Sequence, residues 1–211
     1  MEVVFIPTKY KVSELKNFNE LIEKIPKEVG MVCLAQYIDF FTKIKNKLEE
    51  IGFKVYTKPP YYVLGCNVEP SNLPVNTILL IGNGKFHALE IVRKYDKKVI
   101  VYDPISGLID RYEEYNKRII FYLLEELKSS YNVGIILSIK PGQYYYNKLK
   151  NLLEKLRDKN IYLFIGDKID LDNLRNYPYI DFWIINACPR IMDDILENRI
   201  KALTADIILG G

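Results

Sequence analysis

Two of the chain's three cysteines stand at the ends of apolar runs that break off abruptly. Cys188 closes the run Phe182-Trp183-Ile184-Ile185-Asn186-Ala187 and is followed by Pro189 and Arg190, while Cys66 follows Tyr61-Tyr62-Val63-Leu64-Gly65 and precedes Asn67. A buried strand that delivers a reactive or metal-binding side chain at its carboxyl tip reads in this way. A plainer reading stands beside it, because a free cysteine also packs as a small hydrophobe and these two belong to no CxxC spacing. What favours chemistry is the neighbour that breaks regular structure, Gly65 in one case and Pro189 in the other. Cys33 lies inside Met31-Val32-Cys33-Leu34 and is read as packing. Three cysteines in a chain read as cytoplasmic argue against a disulfide framework.

Other residues able to hold a ligand also follow apolar runs. Gly82-Asn83-Gly84 separates the strand-like Thr77–Ile81 from a helical pattern. Backbone N–H groups at such a helix start suit a carboxylate, a phosphate or another anion, and a simple turn fits the local spacing equally well. His87, the only histidine, falls in the first turn of that helix, so a site of several histidines is excluded. It is either a catalytic group or a side chain bonded to backbone. Asp103, before Pro104, either binds a ligand or caps a turn. Gly142 and Gln143 follow Lys140-Pro141 after the run Ile135–Ile139, and Arg190 either neutralises an anionic ligand or pairs with Asp193 or Asp194. All of these positions fall at predicted carboxyl ends of strands, where ligands gather in open α/β sheets.

The elements that would position them alternate. Strands are predicted at Glu2–Pro7, Gly30–Ala35, Phe53–Tyr56, Tyr61–Leu64, Thr77–Ile81 and Val99–Tyr102. Helices are predicted over Val12–Lys27, over Tyr37–Ile51 with Phe40, Phe41, Ile44 and Leu48 on one face, and over Ala88–Lys94. Ile105–Asp110 reads as a turn or short hairpin, and Glu113–Ser129 as a helix leading into a second half. That half repeats the first: Val133-Gly134-Ile135-Ile136 echoes Val29-Gly30-Met31-Val32 at 133 − 29 = 104 residues, with a helix at Tyr146–Leu156 and strands at Ile161–Phe164 and Phe182–Ile185. The expectation is α/β: two similar, doubly wound Rossmann-like domains, residues 1–115 and 116–211, with mostly parallel sheets related by an internal repeat.

Composition narrows the function classes. Charged residues make up 27% of the chain, net +3, with both signs interleaved, so the basic stripe of a nucleic-acid binder is missing. No uncharged run reaches the length of a membrane helix and no signal peptide is seen, which predicts a cytoplasmic protein without membrane contact. Two glutamines against many Lys, Ile, Tyr and Glu suit a heat-adapted source.

In their order, Leu64-Gly65-Cys66, Gly82-Asn83-Gly84-Lys85-Phe86-His87, Val99-Ile100-Val101-Tyr102-Asp103-Pro104, Gly142-Gln143 and Asn186-Ala187-Cys188-Pro189-Arg190-Ile191 resemble the archaeal diphthamide synthase family, the 2-(3-amino-3-carboxypropyl)histidine synthases. The resemblance runs from about Gly30 to Asp194. It implies a 4Fe–4S cluster held by three cysteines, one from each of three similar α/β domains. It also implies S-adenosylmethionine cleaved reductively to a 3-amino-3-carboxypropyl radical, and addition of that group to a histidine of translation elongation factor two. By motif, Cys66 and Cys188 would be the ligands of the family's second and third domains. Gly82, Asn83, Gly84, His87, Asp103, Gly142, Gln143 and Arg190 would line the cofactor site. The family's first domain, with the first ligand, would precede Glu2. Two cysteines leave the cluster one ligand short, so either a separate polypeptide supplies the missing lobe or the cluster is unstable or absent; a homo- or heterodimer is a further expectation. Two other readings stay open: a non-catalytic paralogue acting as an accessory subunit, and a two-lobed α/β binder of an anionic small molecule.

Overall fold

A computed structural model describes residues 4, 6, 8–11, 14–65, 67–113 and 117–210. The chain divides into two compact units, Met1–Tyr115 and Asn116–Gly211. In the first unit the chain runs α1 (Phe18–Lys24), β1 (Glu28–Leu34), α2 (Ile38–Glu50), β2 (Lys54–Tyr56), β3 (Tyr62–Val63), β4 (Thr77–Ile81), α3 (Lys85–Tyr95), β5 (Lys98–Tyr102) and β6 (Ile109–Tyr112). Its sheet has the order β2-β1-β4-β5-β6, with β3 also paired to β1. All pairs are parallel except β5 with β6. The second unit follows as α4 (Lys117–Ser129), β7 (Asn132–Ser138), α5 (Tyr146–Lys155), β8 (Asn160–Gly166), β9 (Phe182–Asn186), α6 (Ile191–Glu197), β10 (Ala202–Thr204) and α7 (Ala205–Leu209). Its sheet, β10-β9-β7-β8, is parallel throughout. The fold is mixed α/β with mostly parallel sheets.

Continuous apolar runs mark the central strands because both faces of a parallel sheet are covered. From Val29 to Leu34 every residue of β1 is buried, as is every residue of β9. Helix α2 buries Phe40, Phe41, Ile44 and Leu48, the stripe read from the sequence, and stops before Gly52, which has φ +84°. One strand pairing recurs in both sheets: Gly30 lies opposite Tyr56 and Ile78, and Gly134 lies opposite Tyr162 and Trp183. A Cβ on Gly134 would stand 2.5 Å from the Trp183 ring, so only glycine lets that indole cross the strand.

Several predicted elements differ from those observed. The helix expected over Val12–Lys27 is confined to Phe18–Lys24. Asn17 takes a left-handed φ of 56° and its Nδ2 donates to Gly107 O at 3.1 Å, while Lys16 O accepts from the Tyr102 hydroxyl at 2.6 Å. These tertiary bonds fix a turn where local pattern favours helix. The strand expected at Glu2–Pro7 falls largely outside the described residues, and Val4 and Ile6 are exposed and outside any strand. Helix α3 begins at Lys85 rather than Ala88, directly after Gly84. The turn or short hairpin read at Ile105–Asp110 is observed: the segment joins β5 to the antiparallel β6. Among the described residues no helix is long and apolar enough to cross a membrane.

Candidate functional site

In a parallel sheet the loops that follow neighbouring strands converge at one edge, and this places the chemistry of the second unit. The segments after β7, β8 and β9 form a recess of about 260 Å³. Cys188, half-buried, lies on its wall with Gln143 and Arg190. Lys140, Asp167 and Asp194 add charges of both signs, and Ser138 lies at its base. Cys188 is held at a helix start: its carbonyl accepts from Ile191 N–H at 3.2 Å and that of Pro189 accepts from Met192 N–H at 3.0 Å. The first turn of α6 therefore fixes the backbone beneath the sulfur. Ser138 Oγ accepts from Lys140 N–H at 3.3 Å and donates to Gln143 Oε1 at 3.4 Å, so a buried hydroxyl ties the Gln143 loop to the end of β7. Gly142, exposed with φ +78°, gives that loop its reversal.

Asn186 precedes Ala187 and Cys188 and is fully buried. Its Nδ2 donates to Tyr145 O at 3.0 Å, while its Oδ1 is the one buried side-chain polar atom among the described residues with no partner. An orphaned buried acceptor costs about 1–3 kcal/mol, so the end of β9 retains hydrogen-bonding capacity that the chain does not use.

The first unit brings its candidates to the carboxyl edge of its own sheet. Gly82 is buried with φ +145°, its N–H donates to Tyr102 O at 2.9 Å, and a Cβ there would stand 2.7 Å from Leu34. Asn83 and Gly84 are exposed, and His87 is half-exposed in the first turn of α3, its ring 5.3 Å from that of Phe86. Gly65 packs so closely on Phe86 that no side chain would fit between them. The segment leading to Cys66 therefore runs beside the Gly82–His87 loop, although Cys66 itself lies outside the described residues. Asp103 is engaged in its own turn, accepting Ile105 N–H at 2.9 Å and the Ser106 hydroxyl at 2.8 Å. Burial, with the Asp103 charge second, pushes Tyr37 and Tyr102 up to about 12. Cys33 is sealed in β1 and burial pushes its thiol up to about 12, as for a packed cysteine.

Cys188, Gln143 and Arg190 thus meet in one recess, with Gly142 in its loop, and Gly82, Asn83, Gly84, His87 and Asp103 follow adjacent strands of the other sheet. Sequence reasoning missed Asp167 and Asn186. Asp167 follows Gly166 at the end of an apolar strand, the signal that marked the others, and Asn186 is the one polar residue in its run. Among the described residues no cluster of three or more His, Cys, Asp or Glu could hold a metal. A larger cavity, about 410 Å³, lies against α4, α5 and α7 and contains none of the candidate residues.

A sequence profile described as "Putative diphthamide synthesis protein" matches residues 1–198. The chain is 34% identical over 192 residues to the 2-(3-amino-3-carboxypropyl)histidine synthase of Methanocaldococcus jannaschii, covering 87% of this chain and 51% of that protein. It is 25% identical over 179 residues to subunit 1 of the same synthase in Encephalitozoon cuniculi, covering 79% and 51%. The crystal structure of Dph2 from Pyrococcus horikoshii with a 4Fe-4S cluster superposes with a TM-score of 0.83 at 26% identity, covering 97% of this chain and 64% of that one. The chain spans about half the length of the curated relatives it matches.

Proposed function

The chain belongs to the diphthamide synthesis family, and from that premise we propose that Cys188, with Cys66, provides thiolates to a 4Fe–4S cluster. The reaction proposed is transfer of the 3-amino-3-carboxypropyl group of S-adenosylmethionine to a histidine of translation elongation factor two, in the cytoplasm. The observation that carries this reading is the half-exposed Cys188 thiol at the tip of β9, in a recess shared with Lys140, Gln143 and Arg190. The cluster described in the Pyrococcus horikoshii structure supports it. On this reading the two units are doubly wound copies of one fold, residues 1–115 and 116–211, corresponding to the family's second and third domains.

The donor set fits part of such a site. Cys188 is accessible and stands near cations suited to an anionic iron–sulfur group. With Cys33 sealed in β1, Cys66 and Cys188 are the two cysteines of the proposed ligand set, and the proposal includes a further polypeptide as the source of a third thiolate. When bound, the cluster would supply the electron that cleaves the cofactor. The chain's own residues would bind and orient. Arg190 and Lys140 are available to a carboxylate, Asp167 and Asp194 to an ammonium group, and Gln143 to either. In the first unit, the N–H groups after Gly82, with Asn83, Gly84 and His87, are suited to an anionic group. Asp103 shapes the neighbouring loop.

One observation favours a second reading: a relative is named as a subunit, and Cys188 is the only accessible thiol among the described residues. Here the chain is a non-catalytic subunit of a family complex. The discriminating experiment combines the chain anaerobically with a polypeptide that carries the remaining thiol, a reductant, elongation factor two and S-adenosylmethionine labelled in its carboxyl group. The catalytic reading expects label on the factor, lost with Cys188→Ala. Label that persists in Cys188→Ala favours the subunit reading, and no label with any partner contradicts catalysis.

A further inference from the structure

Three polar residues of the second unit are buried among those described: Ser138, Asn186 and Thr204. Thr204 directly precedes α7. The other two stand at the carboxyl ends of adjacent strands, with Asn186 of β9 opposite Leu137, the residue before Ser138, in β7. Both reach one loop, residues 139–145, which leads from β7 into α5. Ser138 holds its start, through Lys140 N–H and Gln143 Oε1. Asn186 holds its end, where Nδ2 donates to Tyr145 O at 3.0 Å. Within the loop, Gln143 N–H donates to Lys140 O at 3.0 Å and the Tyr145 hydroxyl to Gly142 O at 3.2 Å. The loop is therefore tied to itself and gripped at each end by a buried side chain.

Stability alone does not account for an amide at position 186. The rest of β9, Phe182-Trp183-Ile184-Ile185, is buried and apolar, and a leucine, with the same branched shape, would continue that run. It would remove the orphaned Oδ1, and Tyr145 O would keep the bond it accepts from Leu149 N–H at 3.2 Å. An apolar replacement of the same shape is close to neutral, whereas an unpaired buried acceptor is costly. The oxygen is sealed from solvent, so it is not a contact for a ligand in the recess. What the residue contributes passes through its amide nitrogen to Tyr145. Cys188 lies two residues beyond Asn186 and Gln143 two residues before Tyr145, and both line the recess with Lys140. One buried hydrogen bond thus joins the two walls.

We propose that Asn186 is a positioning residue for Cys188: its amide fixes the loop that carries Lys140 and Gln143 against the strand tip that carries the thiol. The recess then keeps a set width, and the Lys140 ammonium stays close enough to act on an anionic group at the sulfur. As a part of the reaction this role rests on the reading of Cys188 as a cluster ligand. The positioning itself is a property of the chain alone.

The test uses the full chain without iron, in a Cys66→Ser background, where Cys33 is sealed and Cys188 is the accessible thiol. Alkylation is followed with neutral iodoacetamide and with anionic iodoacetate, and the ratio of the two rates reads the charge around the sulfur apart from its exposure. Lys140→Gln is expected to lower the iodoacetate-to-iodoacetamide ratio about threefold, the effect of one nearby exposed cation. Asn186→Leu is expected to lower it to a similar extent while the thermal midpoint stays equal to or above the parent's. Combined, the two substitutions are expected to lower it no further, since a loop that has left the thiol has no charge there to lose. Asn186→Ala is expected to behave likewise and decides if the leucine variant fails to fold. An unchanged ratio in Lys140→Gln or in the folded Asn186 variants overturns the proposal. So does equal acceleration of both reagents, which marks general loosening, and so do additive effects in the double variant. A large fall of the thermal midpoint in both Asn186 variants also overturns it, because the residue would then be structural. Iron retained in Cys188→Ala contradicts the ligand reading alone, whereas the ratio tests the loop.

Discussion

After β5 the chain turns through Asp103, whose carboxylate takes hydrogen bonds from Ile105 and Ser106 with Tyr37 alongside. After β9 it turns through Asn186, whose Oδ1 has no partner, and reaches Cys188, whose thiol stays half-exposed. Both sheets are mostly parallel, yet one turn closes its polar groups on itself and the other leaves them available. Similar strand ends therefore serve two purposes. Satisfied polar groups hold a loop in one geometry, whereas an unsatisfied acceptor and an accessible thiol mark where the fold forgoes stability. The edges repeat the contrast, charged and short in the first sheet, long and apolar at β8.

If this contrast holds, the largest effect comes from Asp103. Asp103→Ala strips the acceptor from two hydrogen bonds in a buried turn and is expected to cost about 3 kcal/mol in urea unfolding, whereas Asn186→Ala loses one donor bond while removing the orphaned oxygen and should cost about 1 kcal/mol or less. Equal losses would remove the distinction. A smaller difference separates two glycines of the second unit. Gly134→Ala drives a methyl into the Trp183 ring and is expected to cost about 2 kcal/mol. Gly142→Ala meets open space and bears only the positive φ, about 1 kcal/mol. The smallest effect is in alkali. Tyr37 and Tyr102 are pushed up to about 12 from 10.0, so the folded state holds their protons more tightly than the unfolded chain. The stability this confers is complete below pH 10 and declines as pH rises toward 12. Ultraviolet titration at about pH 11 should find nearly the same number of phenolates in the folded parent and in Tyr37→Phe/Tyr102→Phe, because neither ring has ionised, whereas freely ionising rings would add close to two in the parent.

Much of this was legible in the sequence. The stripe Phe40, Phe41, Ile44 and Leu48 gave α2, because a half-buried helix must repeat its apolar residues every turn. The break at Pro189 distinguished Cys188 from Cys33 before either was placed. What stayed hidden depends on distant contacts. Asn17 holds back the start of a helical pattern by bonding Gly107, far along the chain, and Asn186 is orphaned because of what does not surround it. Strand β10 and helix α7 are three and five residues long, too short for either period to show.

The claim on which the function rests is that Cys188 is a ligand and Cys33 is not. Iron and sulfide bound per chain, with the broad absorption at roughly 400 nm of thiolate-ligated iron, can be measured after anaerobic reconstitution with a polypeptide that carries the remaining thiol. The account predicts that Cys188→Ala loses bound iron and colour while Cys33→Ala retains both. Full retention of the cluster in Cys188→Ala would contradict it.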